Sequence, residues 1–477
     1  MYKRFVRSAE QLLADEKQPL LFTEEAEPPA AKEETPRELE TITFTRRKGG
    51  GRKPLSANLE RRPRTIDIPE NEKTCACGAK LTRIGEEISE KLIIEPPKIY
   101  VDQIIRPKYA CPQCEGTEDE GKPTVRTAPV EPAMIPKSIA SDSVLVIIFI
   151  QKFETHLPYY RQEKQFAQIG VKISRQDMAN WQQQAYAVLQ PLFILLTAMI
   201  KSGPVMRMDE TTAQVMGEEG REDTQKSYMW LALGGPPGKT VALYEYHPTR
   251  AAYNAKAFLQ GYSGYLQTDG YEGYDCAVKD MPGIIHVGCF AHSRRRFFEA
   301  AKIGGQGEAA EKALEYIRKL YSIERELRNE KTGKKQTDDE FLIKRKEKAE
   351  PVLNDFKTWL LDHAGKVPPS LLLGKAISYT LGQWDKLVRY LESPYLTPDN
   401  NACENAIRPF VLGRKSWMFN KSPDGAKSSC GMYTLIETAK RNGLVPRDYL
   451  TALFKRAPLA SSPQDWEKLL PWNIFKS

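Results

Sequence analysis

The chain has 477 residues and a formal net charge of +8. This length allows several domains with ordinary cores, and the basic balance is compatible with a nucleic-acid partner. The longest apolar runs, 144–150 and 192–200, are too short to cross a bilayer, and Met1–Phe5 lacks the apolar core of a signal peptide, so membrane and secreted proteins are excluded. We expect a cytoplasmic protein whose eight cysteines stay reduced.

The first segment, residues 1–66, is predicted to be flexible and to carry a basic arm. Residues 23–40 contain seven acidic and two basic residues, which is typical of a solvated linker. Residues 46–64 contain eight basic residues and one acid. Three glycines precede Arg52 and Lys53. The segment is interpreted equally well as a flexible arm that enters a DNA minor groove or as a solvated basic linker.

A small zinc-binding module is predicted over residues 67–118. Its strand-like runs include Ile99–Val101 and Ile104–Ile105, and Arg106 and Lys108 are candidate DNA contacts. Two cysteine pairs flank these runs and predict a tetrahedral zinc site, with four free thiols as the alternative. The second pair has the spacing of a zinc knuckle, whereas the first is tighter. The four cysteines are Cys75, Cys77, Cys111 and Cys114.

A helical DNA-binding segment is predicted over residues 119–202. Ser174 is a suitable N-cap for a helix whose apolar residues recur at helical spacing, and Gly170 lies in the turn before it. A helix, a glycine-containing turn and a second helix resemble a helix-turn-helix. An ordinary helical hairpin is the alternative.

Residues 203–302 are predicted to form the first part of an α/β core. The element order is β-β-β-α-β-α-β-α, which is the order of the ribonuclease H-like fold, a mixed sheet flanked by helices. The strands are predicted at 205–209, 228–233, 241–246, 265–268 and 284–287, and the helices at 251–262, 271–279 and 290–301.

Three further segments complete the predicted organisation. Residues 303–398 form an all-α insertion, residues 399–424 return to the core, and residues 425–477 form a helical tail in which Gly443 ends a helix. Four other cysteines lack paired spacing and are expected to be small buried residues. They are Cys276, Cys289, Cys403 and Cys430. Cys289 and His292 also suggest a ligand pair, but a structural role is favoured.

Three acidic residues form a candidate catalytic constellation. Asp209 is predicted to end the first strand, Asp269 to follow the fourth, and Glu404 to lie in the first turns of a helix capped by Asp399–Asn401. Convergent carboxylates need a compensating charge, and Mg²⁺ or Mn²⁺ prefers oxygen ligands. Two such ions would support in-line phosphoryl transfer on DNA. Because the chain has 62 acidic residues, a chance arrangement is a serious alternative.

The sequence motifs around these acids resemble those of the DDE transposases of the insertion sequence 66 family. They are long, they keep their order, and the resemblance covers nearly the whole chain from about Phe5. The resembling segments are Met208–Thr211, Thr268–Tyr271, Cys289–Phe297, Asp399–Asn405, Ile407–Lys415, Ser422–Ala426 and Leu435–Lys440.

The resemblance implies a ribonuclease H-like domain with Asp209, Asp269 and Glu404 as metal ligands. It also implies cleavage at the ends of an element and joining of 3′-hydroxyls to target DNA. A zinc-binding module belongs at this place in the family, and such elements usually encode two small accessory proteins. Candidate phosphate contacts are Arg294, Arg295, Arg296, Arg408, Arg414 and Lys415.

Family members usually begin with a leucine-zipper-like helix, followed by a short basic sequence motif. Here the corresponding motif, Phe5–Glu10, starts almost at the first residue, so we expect the zipper to be missing. A homo-oligomer on DNA is still expected, with no membrane partner. A non-catalytic DNA-binding remnant or repressor and a structure-specific nuclease are the alternative functions.

Overall fold

The computed structural model describes residues 62–63, 99–110, 125–302, 307–333 and 336–476. The chain divides into two compact units, Met1–Gln103 and Ile104–Ser477. In the first unit, residues 62–63 and 99–103 are exposed and have no regular secondary structure. The predicted basic arm with Arg52 and Lys53 lies outside the described residues, as do the four cysteines of the predicted zinc site.

The second unit contains the strands and helices from which the candidate site is built. The strands are β1 (Lys108–Ala110), β2 (Val125–Thr127), β3 (Val205–Gln214), β4 (Lys226–Gly234), β5 (Val241–His247), β6 (Gly264–Gln267) and β7 (Ile284–Val287). The helices are α1 (Asp142–Phe153), α2 (Tyr159–Gln168), α3 (Arg175–Val188), α4 (Gln190–Lys201), α5 (Ala252–Leu259), α6 (Glu272–Val278), α7 (Phe290–Ala301), α8 (Gly307–Gly333), α9 (Asp338–Ala364), α10 (Leu372–Gly382), α11 (Trp384–Val388), α12 (Asn401–Trp417), α13 (Pro423–Arg441), α14 (Pro446–Arg456) and α15 (Pro463–Lys468).

The strand runs predicted at Ile99–Val101 and Ile104–Ile105 are wrong. These residues have no regular secondary structure, and the apolar side chains are solvent-exposed. A β-strand is stabilised by a paired neighbour, and within the described ranges these runs have none. The short strand β1 does pair with β2, in antiparallel register from Lys108 opposite Thr127.

The predicted helical segment is confirmed only from Asp142 onward, where α1 to α4 follow one another, whereas residues 125–127 form strand β2 and residues 128–141 form no helix. Ser174 forms a capping box with Asp177 at the start of α3, and Gly170 has a φ of +80° in the turn between α2 and α3. α3 then packs on α13, where Gln182 Nε2 donates a hydrogen bond of 2.7 Å to Ser428 Oγ. This buried contact shows that one face of α3 belongs to the protein core.

A five-stranded mixed sheet lies at the centre of the second unit. Its strand order is β5-β4-β3-β6-β7. β3 pairs with β4, and β4 with β5, in antiparallel fashion, whereas β3 with β6 and β6 with β7 are parallel. Helices flank this sheet, as predicted, and the predicted order of strands and helices between residues 205 and 301 is confirmed.

The prediction that Asp209 ends the first strand is wrong. β3 continues to Gln214, because its antiparallel pairing with β4 extends to Gln214 opposite Lys226. Of the residues after Asp209, the buried side chain of Glu210 is paired with Arg250, and Thr211 and Thr212 are half-buried, so the strand continues without burying an unpaired charge.

The parallel register brings the first two acids to one level of the sheet. Arg207 is opposite Gln267, so two residues further on Asp209 is level with Asp269. Gln267 is in turn opposite Val287, which puts Cys289 at the same level beyond β7. Neighbouring strands are roughly 4.8 Å apart, so these positions are close neighbours.

Helix α13 covers the edge of the sheet. The side-chain oxygen of Thr434 accepts a hydrogen bond of 2.9 Å from Tyr244 N, and that of Thr438 accepts one of 3.1 Å from Ala242 N. An uncovered edge strand exposes unpaired backbone groups, and these threonines satisfy two of them in β5. α13 ends at Arg441, followed by Gly443 with a φ of +74°, as the predicted helix end requires.

Among the described residues between α7 and α12 are the helices α8 to α11, and α8 and α9 pack on each other. On α8, Leu314, Ile317, Leu320 and Leu327 recur at helical spacing and are buried. The fully buried Arg345 of α9 pairs with Glu324 at 2.8 Å. It also donates hydrogen bonds to backbone carbonyls between residues 390 and 396, just before α12.

The prediction of four small buried cysteines holds for three of them. Cys289, Cys403 and Cys430 are buried, but Cys276 is exposed. The buried positions of α6 are Gly273, Tyr274 and Ala277, so Cys276 falls on the outer side of this short helix.

Across the described ranges, no single helix combines the length and apolar composition needed to span a membrane. The bent pair α3 and α4, with 60° between the helices, passes that test by length and composition alone.

Candidate active site

Three carboxylates approach one another from three elements of the second unit. Asp209 lies within β3, Asp269 follows β6, and Glu404 lies in the first turn of α12. Burial raises the pKa of Asp209 well above its usual range, and the negative charges of Glu210, Glu404 and Asp269 raise it further. The three acids that the sequence predicted are therefore close enough to influence one another electrostatically.

Each acid has its own local anchor. Asp209 Oδ1 accepts a hydrogen bond of 2.9 Å from Glu210 N, and Asp269 Oδ1 accepts one of 3.0 Å from Tyr271 N. Glu404 Oε1 lies 4.0 Å from His292 Nδ1, and both of these buried atoms lack a hydrogen-bond partner. The first two carboxylates are thus held by backbone groups, whereas Glu404 keeps an acceptor atom open toward the cluster.

The start of α12 is fixed to the sheet by Asn400. Its Nδ2 donates a hydrogen bond of 2.9 Å to Met208 O, next to Asp209, and its backbone N lies 3.2 Å from Cys289 Sγ. Asp399 Oδ1 accepts a hydrogen bond of 3.1 Å from Asn401 N. Asn400 is at the predicted N-cap position, but its side chain bonds across to β3 instead of capping the helix.

Cys289 and His292 meet Glu404. One potential ligand atom from each residue lies within 4.8 Å of the other two. Burial lowers the pKa of His292, although the charges of Glu404 and Asp269 act in the opposite direction. No second ligand pair for Cys289 and His292 was evident from the sequence, and in the structure the carboxylate of Glu404 joins them from a helix that is distant in the chain.

The donor set fits a hard divalent cation. The carboxylates of Asp209, Asp269 and Glu404 supply oxygen atoms, which Mg²⁺ prefers as ligands. Glu404 Oε1 and Asn400 Oδ1 are buried acceptors without a partner in the protein, so the cluster has capacity to receive a positive charge. The repulsion that raises the pKa of Asp209 would be relieved by such a cation.

Glu210 and Arg250 join the cluster without having been predicted. Arg250 Nε lies 2.5 Å from Glu210 Oε1, and Arg250 Nη2 lies 3.8 Å from Asp269 Oδ2. Tyr274 donates a further hydrogen bond to Glu210. Glu210 directly follows Asp209 in the chain and offered a sequence signal, but Arg250 lies in the loop after β5 and offered none.

A second polar chain supports the loop that carries Asp269. His286 Nε2 lies 2.8 Å from Thr268 Oγ1, and His286 Nδ1 lies 2.8 Å from Asp275 Oδ1. Lys386 Nζ lies 2.6 Å from Asp275 Oδ1. Hydrogen bonds from His286 and Lys386 lower the pKa of Asp275 to about 2. Thr268 is buried, so this chain positions the backbone beside Asp269.

Comparison with protein families decides what kind of protein carries this site. Residues 137–428 match the family model described as "Transposase IS66 family". The chain belongs to the IS66 transposase family. Three shorter matches agree: residues 72–115 with "zinc-finger binding domain of transposase IS66", residues 434–472 with "IS66 C-terminal element", and residues 2–64 with "Transposase C of IS166 homeodomain".

Three similar proteins come from Sinorhizobium fredii, and each is described as uncharacterized. y4jD is 32% identical over 416 residues, covering 85% of this chain and 78% of its own. y4hP is 29% identical over 450 residues, with 90% and 78% covered. y4qI is 31% identical over 435 residues, with 89% and 77% covered. Their similarity extends over most of both chains.

The basic residues predicted to contact DNA in this IS66-family chain have different surroundings. On α7, Arg294 and Arg296 are exposed and Arg295 is half-buried, and the Arg296 guanidinium lies 4.1 Å from the Tyr379 ring centre. The others lie on α12. Lys415 is exposed, Arg408 is half-buried with a buried Nε that lacks a partner, and Arg414 donates hydrogen bonds to Thr211 and Thr212 of β3.

Proposed function

We propose that this protein is a DNA transposase that binds the terminal inverted repeats of its element, cleaves DNA strands there and joins them to target DNA. Membership of the IS66 transposase family supports the reaction class. The observation that carries the proposal is the sheet register, which puts Asp209 level with Asp269 while α12 brings Glu404 to them. We also assign the sheet and its helices to the ribonuclease H-like fold, with 303–398 as an all-α insertion.

In this proposal Asp209, Asp269 and Glu404 hold Mg²⁺ or Mn²⁺. The chemistry supplied by two such ions is activation of a water or 3′-hydroxyl and stabilisation of the leaving oxygen. The residues of the chain orient the carboxylates: Tyr271 N holds Asp269, and Asn400 fixes the start of the helix that bears Glu404. Such fixed geometry lowers the cost of bringing two DNA ends into an in-line arrangement.

Zinc is proposed to organise the N-terminal module. The match of residues 72–115 to a zinc-finger domain supports zinc, and the proposed ligands are Cys75, Cys77, Cys111 and Cys114. Together with Arg52, Lys53 and the α2–α3 pair, this module would bind the terminal repeats.

Basic residues of the core are proposed to contact the DNA backbone near the cleavage site. They are Arg294, Arg295, Arg296, Arg408, Arg414 and Lys415. The protein would act in the cytoplasm as a homo-oligomer on DNA, with the accessory proteins of its element as further partners.

A strand-transfer assay tests the proposal. Full-length protein is incubated with labelled terminal-repeat DNA, a target plasmid, Mg²⁺ or Mn²⁺ and the accessory proteins. We expect joined products that vanish in Asp269→Ala and persist in Asp280→Ala, which removes an exposed carboxylate that pairs with Lys256. Cleavage without joining would indicate a nuclease, and binding without cleavage a non-catalytic DNA-binding protein.

A further inference from the structure

Arg250 is held by the protein on two sides. Its Nε lies 2.5 Å from Glu210 Oε1, and its guanidinium carbon lies 3.8 Å from the centre of the Tyr271 ring. The Tyr271 hydroxyl also donates a hydrogen bond of 2.8 Å to the Arg250 carbonyl. Charge pairing and stacking on an aromatic face together fix the plane of the guanidinium.

The remaining edge of this guanidinium faces Asp269 loosely. Arg250 Nη2 lies 3.8 Å from Asp269 Oδ2, which is beyond hydrogen-bond distance. The Glu210 side chain is 1% exposed, whereas those of Arg250 and Asp269 are 38% and 25% exposed. The contact with Glu210 is therefore permanent, and the contact with Asp269 is open to exchange with a ligand from solvent.

An arginine in this position suits a phosphate group. Its planar fork binds phosphate oxygens with defined geometry, and its charge does not depend on pH in the physiological range. Glu210 already accepts a hydrogen bond from Tyr274, so the anchor of Arg250 is itself anchored. The free edge of the fork is thus directed at the place where the carboxylates converge.

We propose that Arg250 is a catalytic residue that binds the scissile phosphate of DNA, and that Asp269 holds its Nη2 in the protein alone. This inference rests on the proposed function, because it requires a DNA strand at Asp209, Asp269 and Glu404. A divalent cation held by Asp269 would compete with Arg250 for the same carboxylate. Arg250 Nη2 would then be free to donate to a phosphate oxygen, while Nε keeps its contact with Glu210.

The proposal predicts opposite effects of Arg250→Gln on two measurements. Binding of Mn²⁺ becomes tighter, by about 5-fold, because a competing positive charge near Asp269 is gone. Single-turnover cleavage of terminal-repeat DNA becomes slower, by about 100-fold, because a fixed donor to the reacting phosphate is gone. Arg250→Lys keeps the charge but not the planar fork, so we expect its cleavage rate to lie between those of the wild type and Arg250→Gln.

Mn²⁺ binding is measured on the full-length protein without DNA, from the electron paramagnetic resonance signal of free Mn²⁺. Lys256→Gln is the matched control. Lys256 lies on helix α5, just after Arg250 in the chain, and among the described residues its Nζ pairs only with Asp280, at 3.0 Å. We expect this control to bind Mn²⁺ and to cleave DNA like the wild type. Asp269→Ala should lose Mn²⁺ binding.

Loss of Arg250 leaves the buried Glu210 unpaired, so folding is controlled with the double variant Glu210→Gln, Arg250→Gln. The side chain at position 210 of this variant can still accept the hydrogen bond from Tyr274. The inference is overturned if Asp269→Ala loses Mn²⁺ but Arg250→Gln binds it no more tightly than the wild type, or if Arg250→Gln and the double variant cleave DNA at the wild-type rate. If Asp269→Ala and the wild type bind Mn²⁺ equally, the metal site of the proposed function fails instead.

Discussion

Ionisation of Asp209 is disfavoured by its surroundings. The negative charges of Glu210, Glu404 and Asp269 all raise its pKa, in addition to the effect of burial. A carboxyl group that folding makes harder to ionise destabilises the folded state when it is charged. Strain of this kind is common at sites that are shaped for a ligand and not for stability.

Asp209→Asn is therefore expected to stabilise the metal-free protein while abolishing strand transfer. At pH 7 the free energy of unfolding should rise by roughly 1–2 kcal/mol. The gain should shrink as the pH falls through the raised pKa of the folded state toward the ordinary pKa of aspartate, about 3.9. Below that value it should vanish, because the carboxyl is protonated in both states. Urea unfolding of wild type and variant across pH checks this, and a destabilised variant at pH 7 would contradict it.

Asp275 should show the opposite pH dependence. Its pKa is lowered to about 2 by the hydrogen bond from His286 and by Lys386, so its stabilising effect is present above the unfolded value and is lost as the pH falls toward 2. Because the side chain is 39% exposed, solvent screening reduces the expected contribution to about 1 kcal/mol.

Asp275→Asn tests this point. The difference in unfolding free energy between wild type and variant should be largest near neutral pH and should diminish below about pH 4. Asp355→Asn, which changes an exposed aspartate on α9, serves as the control and should show little difference at any pH. A difference that persists unchanged at low pH would argue against the ion pairs as its cause.

At the scale of elements, the α8–α9 pair holds the segment that leads into α12. The buried guanidinium of Arg345 contacts Glu324 and the carbonyls of Tyr390, Ser393 and Leu396. Since α12 begins only a few residues later, these contacts help to set the position of Glu404.

Arg345→Ala should destabilise the protein by about 3–5 kcal/mol, because it removes one of the two arginines that pair with the buried Glu324, the other being Arg328 at 2.6 Å, and leaves three backbone carbonyls without their donor. The double variant Glu324→Gln, Arg345→Met should lose less, since it removes both charges. Thermal and urea unfolding provide the measurement, with Lys346→Ala, an exposed neighbour, as the control. Equal losses in the single and double variants would contradict the role of the ion pair.

The same scale shows what the sequence could and could not predict. The alternation of apolar residues predicted the strands and helices from 205 to 301 in their correct order, because hydrophobic periodicity reflects local structure. It placed the end of β3 too early, since the polar residues after Asp209 are kept in the strand by pairing with β4. Arg250 was missed because only the tertiary fold brings the loop after β5 to Asp269.

For the whole molecule, zinc and the core should have separable roles. Removing zinc with a chelator, or by Cys111→Ser with Cys114→Ser, should weaken binding to terminal-repeat DNA, because a small metal-held module loses its fold without the metal. Melting of the core should change little. Elemental analysis should find about one zinc per chain in the wild type and none in the double variant. A zinc-free wild type that binds the repeats normally would contradict this role.

The wide separation of the site residues along the chain also has a consequence for synthesis. Asp209 lies in β3 and Asp269 directly follows β6, two strands that can pair early, but Glu404 follows Asp209 by 195 residues. At about 5–20 residues per second, translation needs roughly 10–40 s more before Glu404 is made. The pairing of β3 with β6 can therefore form long before α12 is made. In a ribosome-bound chain the candidate site remains incomplete until α12 and α13, the helix that covers the sheet edge, have left the exit tunnel.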